Sequence, residues 1–243
     1  MSADGALVHD IPGMNDLAAE EDRIRAAYAR RSEGGRYAWS NPGQLFIMQD
    51  LERRVLRLLG REGVFPLRGK RILEIGCGTG HWLREFTKWG ADPAAVGVEL
   101  LTDRVAAARR LCPGDSRLLR SNAARLPFAG AEFDVVAQFT LFTSILDREL
   151  KRQVAGEAVR VLRSGGILLW YDFYIASPNN PDVKAIGKRE IADLFPGCRV
   201  SLQRATLAPP IARLVAPRSW LLCTLLQTIP LLRTHYLGAI RKP

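Results

Sequence analysis

Histidine and cysteine are scarce in this chain of 243 residues, at three and four copies. Cys77, Cys112, Cys198 and Cys223 stand far apart with no C-x-x-C pair. That spacing argues against a zinc site and a disulfide framework, and suits a reducing, cytoplasmic setting. No basic, apolar, small-residue succession opens the sequence, so no secretory signal is expected, and the residues through Asn15 read as flexible. No repeat or low-complexity tract is present. The apolar segment from Trp220 to Ile229, closed by Pro230, is too short to cross a bilayer.

What is present is ordinary soluble composition, 47% apolar and 25% charged, enough for one domain with a sizeable core. Within it the run Ile72-Leu73-Glu74-Ile75-Gly76-Cys77-Gly78-Thr79-Gly80 reads as a buried strand opening into a ligand-binding turn. Glycines are needed there because a β-carbon would hold the backbone off a ligand or forbid left-handed dihedrals. A dinucleotide-binding turn would want a small residue at position 81, which is His81.

The G-x-G-x-G spacing, with Glu74 two residues ahead, resembles motif I of the class I S-adenosylmethionine-dependent methyltransferases. Further segments continue the resemblance through residues 70–174. Ala95-Val96-Gly97-Val98-Glu99-Leu100 is a short strand with an acid at its carboxyl end, where open α/β sheets bind ligands. Glu99 is thereby placed to accept hydrogen bonds from the cofactor's ribose hydroxyls. Ser121-Asn122-Ala123 with Leu126-Pro127-Phe128 is similar to the segment whose acid meets the adenine amino group. Asn122 replaces that acid; its carboxamide oxygen still accepts, more weakly than a charged partner. Phe133 to Val136 and Leu162 to Leu169 match the following strands, with Gly165 and Gly166 turning into a central strand covered on both faces.

The resemblance implies S-adenosylmethionine as cofactor, held by Glu74, Gly76, Gly78, Gly80, Glu99, Leu100, Asn122, Ala123 and Gln138, with Tyr37 from the N-terminal segment. It implies an α/β, Rossmann-like, doubly wound seven-stranded sheet, mostly parallel with an antiparallel last strand. Residues 1–66 would be a flexible segment and helical lid. Residues 67–243 would form the methyltransferase domain, with an insertion at 208–234, and the whole would be one structural domain.

Helices are expected over 16–33, 43–62, 81–89 and 186–195, and late strands over 199–207 and 235–241. In the second helix, Met48, Leu51, Val55, Leu58 and Leu59 make one apolar stripe, expected to face the core. The turn-rich connection at 34–43 offers Tyr37 and Trp39 either as lid contacts or as plain packing. The insertion is expected to place a helix buried over the active-site mouth; a surface that meets a lipid or a partner is the competing reading.

Charge is uneven. The net charge is +10, of which residues 194–243 supply +7 through six arginines and Lys242 with no acid. Such a patch suits nucleic acid, an anionic membrane, an anionic small substrate or simply solvent. Against nucleic acid, the fourth strand ends in Gln138-Phe139-Thr140-Leu141, where base N-methyltransferases carry an Asn/Asp-Pro-Pro-aromatic motif that grips a flipped base.

Methyl transfer needs mainly in-line placement of the acceptor. A hydroxyl acceptor can also need a base, for which Gln138, Thr140, Asp172, Tyr174 and His235 are candidates by position. Asp172 comes first, since it follows the apolar run that ends the fifth strand; capping a nearby loop is its structural alternative. His235 is either a base or a satisfied core histidine, and His81 would sit at the methionine end of the cofactor. The reading is a methyltransferase of a small molecule in a glycan or secondary-metabolite pathway, an oxygen acceptor with an apolar body and an anionic group. A nucleic-acid methyltransferase, an enzyme acting on a lipid-linked substrate with peripheral membrane contact, and a cofactor-binding protein without turnover are the alternatives. No metal site is expected, and the sequence does not give the oligomeric state.

Overall fold

Leucine-, valine- and isoleucine-rich runs alternate with amphipathic stretches along this chain, and the two periodicities become strands and helices in turn. The structure, a computed structural model, describes residues 14–31, 38–114, 116–175 and 180–243. Tyr37 lies outside the described residues.

Two helices, α1 (Met14–Arg31) and α2 (Pro42–Arg61), precede the alternation β1 (Ile72–Ile75), α3 (His81–Lys88), β2 (Val96–Glu99), α4 (Thr102–Leu111), β3 (Leu118–Arg120), β4 (Phe133–Phe139), α5 (Arg148–Val161) and β5 (Leu162–Phe173). Then come α6 (Lys188–Leu194), β6 (Arg199–Leu207), α7 (Pro209–Val215), α8 (Trp220–Leu226) and β7 (Arg233–Arg241). The strands form one sheet in the order β3-β2-β1-β4-β5-β7-β6. Neighbours from β3 to β5 are parallel, and β7 runs antiparallel to both β5 and β6. Strand order reverses between β1 and β4, the switch point where such sheets open a ligand crevice.

Both faces of the sheet are covered. On one, Leu51, Val55, Leu58 and Leu59 of α2 join Leu83 and Phe86 of α3 against Ile72, Val135 and Leu169. The apolar stripe of α2 is therefore core, with Met48 packed at its margin. On the other face, Val154, Ala158 and Val161 of α5 and Ile191 of α6 meet Leu73, Val136 and Trp170. Helix α1 crosses the carboxyl ends of the strands instead, and its contacts belong to the site below.

The insertion departs from expectation. It is not one buried helix but the short helices α7 and α8, followed by a single 3₁₀ turn at Pro230–Leu232. They anchor on α2 through Ala212, Ala216 and Cys223 against Phe46 and Ile47. The approach is close: a β-carbon on Gly43 would lie 2.5 Å from Arg213 Cα. Only one side of each helix has a layer to pack on, so Leu214, Leu221, Leu225 and Leu231 remain exposed.

Candidate functional site

The first strand delivers its glycines in the conformation the sequence required. Gly76, Gly78 and Gly80 have φ of 73°, 56° and 78°. These are left-handed values, which a β-carbon disfavours. Gly76 N and Cys77 N donate to Val98 O at 2.8 and 3.0 Å, tying the loop to β2. Glu99, at the end of β2, is buried; its Oε2 accepts from Gly78 N at 2.9 Å, and its Oε1 from Leu100 N at 2.9 Å and Leu101 N at 3.0 Å. One carboxylate thus joins the glycine loop to the start of α4.

Glu74 lies beneath the same loop, 2% exposed, and its buried Oε2 has no hydrogen-bond partner. Burial, and then the charge of Glu99, push its carboxyl well above the ordinary range, against the pull of Arg104 and Arg84. An orphaned acceptor beside a glycine-only backbone is what a loop awaiting a ligand's donors leaves open, and S-adenosylmethionine, with its amino and hydroxyl donors, fits it.

Leu100 and Asn122 come together on the β2–β3 side, where with Arg25, Arg120 and Ser121 they line a cavity of about 270 Å³. Asn122 Oδ1 accepts from Ala124 N at 2.8 Å, closing a turn that fixes the carboxamide. Ala123 is half-buried and packs at the margin of the α5-side core.

On the β4–β5 side, Gln138, Asp172 and His235 point into the protein, while Thr140 and Tyr174 are half-buried. Gln138 is fully buried, its Oε1 accepting from Leu141 N at 3.1 Å while Nε2 has no partner. Asp172 is also fully buried: Oδ1 accepts from Thr143 Oγ1 at 2.5 Å and Phe173 N at 2.9 Å, and Oδ2 from Thr143 N at 3.1 Å. Burial raises its carboxyl to about 6 in spite of these donors. The turn it caps is the 3₁₀ turn at Phe142–Ser144, after β4, and not the segment near Pro181. His235 stacks on Tyr171 at 4.6 Å and packs 3.9 Å from the Phe173 ring centre, with Nδ1 3.0 Å from Thr234 Oγ1. Burial lowers it to about 3, so the ring is neutral. Thr140 takes a left-handed φ of 57°, and Tyr174 donates its hydroxyl to Arg233 O at 2.5 Å.

Helix α1 closes over these strand ends through contacts the sequence did not announce. Glu20 Oε1 accepts from Leu146 N at 2.6 Å, and Arg23 donates to both Glu20 and Ser144 O. Burial works against the Glu20 charge, yet Arg23 and Leu146 N hold its carboxyl below the usual value. Arg30 pairs with Asp182 at 2.7 Å, and Arg25 reaches the cavity beside Asn122. Arg104 lies beneath Tyr28 and against Gly78, where a β-carbon would come within 2.4 Å of its guanidinium.

His81, at the first turn of α3, turns toward α2. Its Nε2 lies 3.5 Å from Glu52 Oε1, and with Glu85 the three place ligand-type atoms within 4.8 Å of one another. Lys88 donates to Glu85 at 3.1 Å, and burial lowers the imidazole to about 4. Trp39, half-exposed, packs its ring 5.2 Å from that of His81, beside the first turn of α3.

Comparison with known proteins agrees with this geometry. Residues 72–166 match the family described as Methyltransferase domain. A demethylmenaquinone methyltransferase of Beutenbergia cavernae is 31% identical over 195 residues, 73% of this chain and 70% of that one. The chain belongs to the S-adenosylmethionine-dependent methyltransferases. The O-methyltransferase rstn1 of Aspergillus nomiae is 29% identical across 60% of this chain and 66% of its own length. For the 27-O-demethylrifamycin SV methyltransferase of Amycolatopsis mediterranei the figures are 34%, 58% and 53%. The chain therefore spans about half to two thirds of those two relatives. Among solved structures, a methyltransferase from Mesorhizobium loti superposes with TM-score 0.54 at 18% identity, covering 79% of this chain and 97% of that one. The [4+2]-cyclase SpnF superposes at 0.60 and 17% identity, covering 80% and 82%. A cyclase on the same fold shows that the sheet alone does not name a reaction. Among the described residues no helix is long and apolar enough to cross a membrane.

Proposed function

We propose that this chain transfers the methyl group of S-adenosylmethionine to an oxygen of a small acceptor with an apolar body and an anionic group. The observation that carries the cofactor half is the Glu74–glycine loop–Glu99 unit at the β1–β4 switch point, with its unpartnered Glu74 Oε2. When bound, the cofactor supplies an activated methyl on a sulfonium centre, so the residues have chiefly to position and desolvate. Glu99 would exchange its backbone donors for ribose hydroxyls, Glu74 would take the polar methionine end, and Leu100, Asn122 and Ala123 would frame the adenine. Gln138 would hold the loop after β4 in place, and α1 would act as the lid, with Tyr37 in the segment that follows it.

Asp172 and His235 fit this scheme from behind the cleft. With all of its surface buried and three donors engaged, Asp172 would position the 142–144 turn that borders the acceptor. His235, neutral and stacked, would pack β7 against β5. The acceptor class rests on the missing base-gripping motif, on the acid-free basic sequence of residues 194–243, and on the oxygen in the names of the Aspergillus and Amycolatopsis relatives.

The test is calorimetric titration with S-adenosylmethionine and its demethylated product, followed by transfer of labelled methyl to a panel of hydroxylated apolar carboxylates and phosphates. Cofactor binding with turnover on an anionic hydroxyl compound is expected. Absence of cofactor binding, or binding with transfer only to nucleic acid, overturns the reading.

A further inference from the structure

We propose that the edge formed by α7, α8, α2 and β6 is a docking surface for an anionic lipid bilayer. The inference starts from the outer side of the insertion. Leu214, Trp220, Leu221, Leu222, Leu225, Ile229 and Leu231 are all exposed, Leu231 at 81% and Leu221 at 71%. Single exposed leucines are common on soluble proteins; seven large apolar side chains in eighteen residues are not. Most of them sit on α7, α8 and the 3₁₀ turn, and Cys223 alone of α8 is buried. The apolar side is therefore held outward by structure.

A cationic groove adjoins this apolar face. Arg54, Arg57 and Arg61 of α2, with Gln203 of β6, line a cavity of about 550 Å³. Phe46, Asp50, Arg54, Arg57 and Arg61 recur at helical spacing, so they share one side of α2. Phe46 meets the Trp220 ring edge-on at 5.6 Å, and Asp50 Oδ1 accepts from Gln227 Nε2 at 3.2 Å just past α8. The groove thus begins where the insertion ends. Asp50 already pairs with Arg54 at 2.6 Å, while Arg57 and Arg61 stand exposed. Arg218, between α7 and α8, adds an exposed guanidinium that donates to Leu214 O at 3.2 Å.

The combination selects the occupant. A second copy of this chain would set one arginine groove near another, a like-charge penalty that a self-complementary contact does not favour. Nucleic acid would satisfy the arginines and leave the leucines in water. A bilayer with anionic headgroups satisfies both, since leucines and Trp220 enter the acyl boundary while arginines meet phosphates. The placement has a consequence. β6 runs in the direction of β1 to β5, so the insertion after Leu207 lies at the same end of the sheet as the glycine loop. An apolar acceptor would reach the cleft from the lipid side; that consequence rests on the proposed function, whereas docking does not depend on which acceptor is methylated.

The experiment is co-sedimentation of the full chain with phosphatidylcholine vesicles, with and without phosphatidylglycerol, at low and high salt. Binding that grows with the anionic fraction and weakens with salt is expected. The pair Leu221→Glu and Leu225→Glu should weaken it on the order of tenfold or more, and the pair Arg57→Glu and Arg61→Glu should remove the preference for anionic vesicles. Cofactor affinity by calorimetry and helical circular dichroism should stay at wild-type values in both; Leu231→Ser, on the exposed turn, replaces the first pair if it misfolds. Three results overturn the proposal: no vesicle binding by the wild type, vesicle binding indifferent to all these variants, or concentration-dependent self-association that the leucine variants abolish without any vesicle binding. Loss of methyl transfer with docking intact would count against the proposed function and leave the docking surface standing.

Discussion

Arg104 of α4 carries its guanidinium 4.5 Å from the centre of the Tyr28 ring, so a cation–π contact joins α1 to the wall of the glycine loop. The helix that crosses the strand ends is thereby fastened on both sides of the cleft, here and at Leu146 through Glu20. Replacing Arg104 with Ala should cost this contact about 0.5–2 kcal/mol. Amide exchange in residues 22–30 should then quicken while the β1 and β4 amides keep their protection. Equal protection of α1 in both proteins would show that the contact does not hold the helix.

Cofactor affinity should respond sharply to two positions. Glu99→Ala is expected to lose about 1.5–3 kcal/mol of binding, the range for hydrogen bonds to a charged group. Gly78→Val should abolish binding, because its φ of 56° is unfavourable to a β-branched residue and the new β-carbon would press on Arg104. Circular dichroism should still report a folded sheet. Unchanged calorimetric affinity in Glu99→Ala would remove that residue from the ribose.

Asn122→Asp should keep or strengthen cofactor binding, since a carboxylate still accepts from Ala124 N and gives adenine a charged acceptor. Asn122→Leu should weaken it and also loosen the turn. If all three proteins bind alike, the cavity beside Leu100 does not receive the adenine.

Stability should depend on pH through two buried groups of opposite sign. His235 is lowered to about 3 from the ordinary 6.5 by burial, so the unfolded chain takes up that proton first. Its contribution is full above the unfolded value and drains away as pH falls toward 3; between pH 7 and pH 5 the loss should be about 2 kcal/mol. Asp172, raised to about 6 from 3.8, stabilises at low pH and loses that contribution as pH rises through 6. Urea midpoints should therefore reverse order in His235→Phe, with pH 5 the more stable by about 1 kcal/mol, and diverge further in Asp172→Asn, with pH 7 the more stable by about 2 kcal/mol. A His235→Phe protein with the wild-type pH slope would show that the imidazole is not the group responsible.

Much of the frame was legible because its signals are local. An apolar run, an acid and alternating glycines within nine residues specify β1 and its turn without reference to the rest of the chain. The expected helices 43–62, 81–89 and 186–195 and the strand 199–207 fell within about two residues for the same reason. The insertion was harder, since the apolar content of Trp220–Leu226 is the same whether a layer covers it or not; burial is a property of what lies opposite. Asp172 illustrates a signal that was present and unused. Alternation along β5 puts it on the side of Leu168 and Trp170, facing the helical layer of α5 and α6. Arg25, Tyr28 and Arg104 offered no such cue, because their meeting depends on the angle at which α1 crosses the strand ends.

The position of β7 between β5 and β6 bears on how the molecule is made. Both of its neighbours precede it in the chain, so on a ribosome β6 emerges with no strand to pair with, and the outer edge of β5 stays bare until residues 233–241 are translated. Through that interval the nascent sheet exposes a long, apolar, unpaired edge of the kind that recruits other chains. A stop codon anywhere in the insertion would leave it so permanently, and the truncated product should be found with chaperones or in inclusion bodies even though its cofactor loop is complete.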